Sequence, residues 1–90
     1  MMCETRVVHC KKEPYDVYIG RPSKWGNPFV IGEDGSRMVV LKKYLEWIVQ
    51  QPQLLAQLGE LKGKVLGCWC HPDPCHGDIL VELIKQFLEE

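Results

Sequence analysis

Short runs of Val, Ile and Tyr at residues 5–9 and 16–19, parted by the charged Lys11-Lys12-Glu13-Pro14 stretch, predict a strand, a turn and a second strand. Residues 20–28 carry two Gly and two Pro, too many breakers for a helix or an inner strand, and predict a shaped loop. The brief apolar run at 29–31 is expected as a short strand closed by the turn Gly32-Glu33-Asp34-Gly35. Ser36 is placed to cap a helix in which Val40, Leu41, Tyr44, Leu45 and Ile48 repeat at helical spacing, with Lys42, Lys43 and Glu46 outward. Trp47 and Tyr44 read as packing residues of that helix. Pro52 suits the first turn of a second helix, with Leu54, Leu55, Leu58 and Leu61 toward the core and Gly63 as its stop. Residues 64–70 read as a strand. Ile79, Leu80, Leu83, Ile84, Phe87 and Leu88 form the stripe of a last amphipathic helix, for which Asp73 and Pro74 suit the N-cap and first helical position.

These elements predict one small α/β domain over residues 1–90, a mixed sheet flanked by helices. A formal charge of -1 with both signs interspersed offers no global pull toward nucleic acid or membrane, so anion recognition has to be local. No export signal is read in residues 1–12, and no apolar run is long enough to span a bilayer. With an odd count of five cysteines, that favours reduced thiols and a cytoplasmic location.

Three thiols and an imidazole fall close together in Cys68-Trp69-Cys70-His71-Pro72-Asp73-Pro74-Cys75-His76-Gly77-Asp78. A strand that runs through a tight loop into a helix start is a common ligand site, because free N–H groups and the helix dipole favour an anion there. On one reading the cluster holds zinc through Cys68, Cys70, Cys75 and His76, with His71, His9 or Cys10 as other ways to complete a tetrahedron. Adjacent Cys75 and His76 would diverge by roughly 100° on a helix, so no metal is preferred and no cofactor is expected. On a second reading Cys75 is a reactive thiolate, stabilised by the dipole and by His76 or His71, and is the most acidic and most readily alkylated thiol. On a third, Cys68 and Cys70 are small core residues. Asp78 is open between a catalytic duty and a simple preference for the helix start.

The loop Gly20-Arg21-Pro22-Ser23-Lys24-Trp25-Gly26-Asn27-Pro28-Phe29 is the other unusual stretch. Arg21 and Lys24 supply cationic donors, Ser23 and Asn27 neutral ones, and Trp25 a flat surface for a ring. The plainer alternative has Trp25 and Phe29 plugging the core, with Arg21 and Lys24 solvated.

With both segments in view, the chain resembles a family of short phage and bacterial proteins, domain of unknown function 4326, marked by Gly-Arg-Pro-Ser-x-Trp-Gly-Asn-Pro-Phe and Cys-x-Cys-x-Pro-x-Pro-Cys-His-Gly-Asp. The resemblance covers residues 17–87. The Cys-His step is also similar to that of a second bacterial family, which implies a Rossmann-like strand, loop and helix at the site.

The expected function is binding, and processing by hydrolysis or group transfer, of a nucleotide or related phosphorylated small molecule. Arg21, Ser23, Lys24, Trp25, Asn27 and Gly77 would bind the ligand between the two segments, with Cys75, His76 and Asp78 at the reacting end. The alternative is a non-enzymatic zinc module that contacts nucleic acid or a protein partner. Nucleic acid is the less favoured partner, since backbone binding needs a basic surface.

Overall fold

The computed structural model describes residues 5–71 and 73–88. Cys3 and Pro72, the latter within the second motif, lie outside them. The order is β1 (Arg6–His9), β2 (Val17–Tyr18), α1 (Arg37–Ile48), α2 (Pro52–Ala56), a single 3-10 turn (Leu58–Glu60), β3 (Val65–Cys68) and α3 (His76–Leu88).

β3 reads Val-Leu-Gly-Cys, apolar on both faces, as a central strand must be. It lies between β1 and β2 and runs parallel to both, with Val7 opposite Leu66 and Val17 also opposite Leu66. The expected mixed sheet is therefore corrected to a parallel one, and the strand-turn-strand at the N-terminus is no hairpin. Residues 10–16 instead cross one face of β3 to reach its far edge. Gly67 makes room for this crossing, because a Cβ there would lie 2.6 Å from Cγ of Tyr15. Parallel connections ordinarily need a dozen or more residues. Strands of four and two residues leave little distance to retrace, so this one can be shorter.

Residues 29–31 form no strand. Their polar backbone is taken up locally, as Val30 N–H donates to the Asp34 carboxylate (2.8 Å) and Asp34 N–H to the Val30 carbonyl (2.8 Å). α1 begins as expected at Ser36, whose hydroxyl accepts from Val39 N–H, and buries Val40, Tyr44 and Ile48. Leu45 points outward instead of into the core, and Leu41 is only half-buried. The expected second helix breaks after α2 into the 3-10 turn, where Gly59 weakens helical continuation. Leu58 and Leu61 still reach the core, and Gly63 ends the segment at a φ of 76°, a conformation that favours glycine.

The expected strand at 64–70 stops at Cys68, beyond which the chain turns. α3 buries Leu80, Leu83 and Ile84, while Phe87 stays exposed. It starts at His76, later than Asp73-Pro74 suggested. Cys75 takes the cap position: its N–H donates to the Asp78 carboxylate (3.0 Å), and its sulfur accepts from Gly77 N–H (3.3 Å). This reciprocal pairing is the logic of a capping box. No helix among the described residues is long and apolar enough to cross a membrane.

Candidate functional site

Parallel strands bring their carboxyl ends to one edge, and the loops that follow β2 and β3 meet there. The Tyr18 hydroxyl joins them, accepting from the Trp69 indole (2.8 Å) and donating to the Arg21 carbonyl (3.1 Å). Between them lies a cleft of about 340 Å³, whose lining includes Arg21, Asn27, Arg37, Trp69, Cys70 and the trio Cys68, Cys75 and His76.

The first loop is shaped by its own turns. Ser23 N–H donates to the Gly20 carbonyl and Gly26 N–H to the Ser23 carbonyl, while the Ser23 hydroxyl accepts from Trp25 N–H (3.3 Å). Asn27 ties the loop to α1, its amide donating to the Val40 carbonyl (3.3 Å) and its oxygen accepting from Phe29 N–H (2.9 Å). Arg21 is exposed at the mouth of the cleft, and its guanidinium has no hydrogen bond or ion pair among the described residues.

Two expected ligand contacts are corrected. Trp25 is 2% exposed within the core cluster, so its ring offers no face for stacking, and its carbonyl accepts from the Tyr44 hydroxyl (2.7 Å). Lys24 points away from the cleft, its ammonium engaged by Gln57 and by Glu60 at 3.0 Å. Ser23, Gly77 and Asp78 also lie outside the lining. Gly77 is a packing glycine, since a Cβ there would meet Ile19 Cδ1 at 2.8 Å and Val7 Cγ2 at 2.9 Å. The Asp78 carboxylate is spent on the helix cap.

Arg37, Tyr18 and Trp69 were not singled out from the sequence. Arg37 donates to the Pro74 carbonyl (3.1 Å), faces the Asp73 carboxylate at 3.9 Å and lies against Cys70, so it clips the second loop to α1. A signal for it existed: a cation at the first helical position opposes the dipole and implies a compensating duty.

At the floor, one sulfur each from Cys68 and Cys75 and one ring nitrogen of His76 all lie within 4.8 Å of one another, a group able to hold a metal ion. The expected divergence of Cys75 and His76 does not arise, because Cys75 is the cap residue and sits outside the helical repeat. His76 Nε2 is 2.7 Å from the Ile19 carbonyl. A carbonyl only accepts, so Nε2 carries a proton, which leaves Nδ1 as the ring nitrogen able to ligate a metal.

The thiols divide their protons unequally. A hydrogen bond from the Cys75 thiol pulls Cys68 from 9.0 down to about 5, helped by the Cys70 backbone and His76 and opposed by burial. Cys75 is pushed up by holding that shared proton and by burial. Burial and the Cys68 charge push Cys70 up, against the pull of Arg37. Of Cys68, Cys70 and Cys75 the most acidic is thus Cys68, and the expectation of a reactive Cys75 is corrected: Cys75 is the donor of the pair and only 2% exposed.

These shifts set a pH dependence. From about pH 5 to 9 the folded chain has lost a Cys68 proton that the unfolded chain retains, so stability rises with pH. Above 9 the unfolded chain releases the Cys70 and Cys75 protons that the folded one keeps, and stability falls. The urea midpoint of reduced, metal-free protein is therefore expected to peak near pH 9, and Cys68→Ala should flatten the rising limb. An unchanged limb in that variant would assign the rise to other groups.

The chain is 40% identical over 88 residues to an uncharacterised protein of Acanthamoeba polyphaga mimivirus, covering 78% of this chain and 67% of that protein. It is 37% identical over 90 residues to the "Uncharacterized 12.4 kDa protein in nrdA-td intergenic region" of Enterobacteria phage T4, covering 94% and 82% respectively. No solved structure gives a significant match. Residues 4–86 match the family model described as Domain of unknown function (DUF4326), and the chain belongs to that family.

Proposed function

We propose that the chain binds a small organic anion, of the class of phosphorylated metabolites and nucleotides, in the cleft at the carboxyl end of its parallel sheet. One observation carries this reading: among the described residues two arginines and no carboxylate line the cleft, in a chain with 12 acidic and 11 basic residues. Such segregation of charge within a near-neutral surface is a local field for an anion. Arg21 is the residue free to engage it, with the forked geometry that suits phosphate or carboxylate. Arg37 adds charge but is partly committed to the second loop.

The remaining walls suit an organic body. Trp69 is 54% exposed and Ile31 49% exposed, and both line the cleft with Phe29. Trp69 therefore offers the aromatic surface that buried Trp25 cannot. Its ring is oriented by Tyr18 and by the edge-on ring of His9, whose centroid is 5.9 Å away. A cavity of this size lies at the small-molecule end of the usual range, about 300–1,000 Å³.

Calorimetric titration of the full chain at low ionic strength with inorganic phosphate, a nucleoside monophosphate and its uncharged nucleoside tests the reading. Both phosphates should bind competitively, the monophosphate more tightly, and the nucleoside should bind far more weakly. A nucleoside that binds as well as its monophosphate, or an absence of binding by both phosphates, would overturn it.

A further inference from the structure

We infer that Cys68, Cys75 and His76 form a site for one thiophilic divalent cation, zinc, at the floor of the cleft, with a fourth coordination position open to the cleft. The inference stands apart from the anion reading, since it rests on donor geometry and not on the arginines.

The three donor atoms already lie within 4.8 Å of one another. Sulfurs on a tetrahedral zinc sit about 3.8 Å apart, given Zn–S bonds of about 2.3 Å, so closure asks for a contraction of about one ångström at most. The donors come from the end of β3 and the start of α3, two elements packed in one core, rather than from free loops. That places them before any ion arrives. Two sulfurs and an imidazole favour zinc over magnesium or calcium, which take oxygen donors and would find no carboxylate in this lining among the described residues.

His76 also carries the outer support that metal-binding histidines usually have. Its Nε2–H donates to the Ile19 carbonyl, which fixes the ring and leaves Nδ1 as the ligating nitrogen. Cys70 contacts Cys68 as well as Arg37 but lies outside the group of three mutually close donors, and is not required as a ligand. Since all three donors line the cleft, the vacant side of a tetrahedron faces incoming ligand. Three protein ligands with one open position is the arrangement of reactive rather than purely structural zinc. A bound cation would also offset the sulfur charge beneath an anionic ligand.

The test uses the full chain, reduced and stripped with chelator, then titrated with cobalt(II) as a spectroscopic stand-in for zinc. Absorption should saturate at one cobalt per chain, with thiolate-to-metal charge transfer and the intense visible bands of tetrahedral cobalt, and zinc should abolish both. Cys68→Ser and His76→Gln should lose the tight, tetrahedral species, whereas Cys10→Ser and Cys70→Ser should retain it. X-ray absorption of the unmodified zinc-loaded chain reads the same site without relying on variants that fold: two sulfurs and at least one imidazole nitrogen are expected. Substoichiometric cobalt, an all-oxygen shell, or tetrahedral cobalt that survives Cys68→Ser would overturn the inference.

Discussion

Replacing Trp25 by alanine is expected to destabilise the fold by about 3–5 kcal/mol, the range for removing a buried large aromatic ring. Trp25 is among the largest fully buried side chains, in a cluster with Ile19, Tyr44, Leu66 and Cys75. The first loop hangs on this residue twice, through the ring in the core and through the carbonyl that accepts from Tyr44. Only the ring is lost in the variant, so its cavity accounts for the effect. For a domain whose total stability is of the order of 5–15 kcal/mol, such a loss is a large part of the whole. Urea unfolding followed by circular dichroism checks it. A variant that unfolds at the parental midpoint but no longer binds nucleotide would return Trp25 to the ligand surface and contradict its burial.

Arg21→Ala is expected to weaken phosphate or nucleoside monophosphate binding by about 1.5–3 kcal/mol, the range for a hydrogen bond to a charged group. That corresponds to roughly tenfold to more than a hundredfold in affinity. The same change should leave the unfolding midpoint nearly untouched, because Arg21 is exposed and its guanidinium holds no partner among the described residues. Lys24→Ala is the matched control. Its charge is equal and only a few residues away, but it is directed to Gln57 and Glu60, so binding should not change. Equal losses from both substitutions would mean that a diffuse positive field, not the cleft, holds the anion. The surface pair of Lys24 with Glu60 is worth at most about 1 kcal/mol, so neither outcome would be masked by unfolding.

What could be read along the chain was local. The capping hydroxyl of Ser36, the 3.6-residue stripe of α3, the stop at Gly63 and the breakers of residues 20–28 each declare themselves within a few residues, because capping, amphipathicity and turn chemistry act over that distance. The two unusual segments were likewise visible as composition. Tertiary structure alone decided what depends on partners far away. Strand direction is one such property, since the Val and Tyr residues of β1 and β2 have the same pattern whether β3 enters between them or not. Side-chain allegiance is another. Trp25 and Lys24 share a loop with Arg21, yet burial against Tyr44 takes the first and a carboxylate on the 3-10 turn takes the second, leaving Arg21 as that loop's one cation for the cleft. The same holds for the thiols: spacing placed Cys75 in a helix beside His76, whereas the Asp78 cap moved it outside the helical repeat and close to Cys68. Arg37 entered the site from α1 because a parallel sheet gathers its following loops at one edge, a convergence that no window of sequence contains.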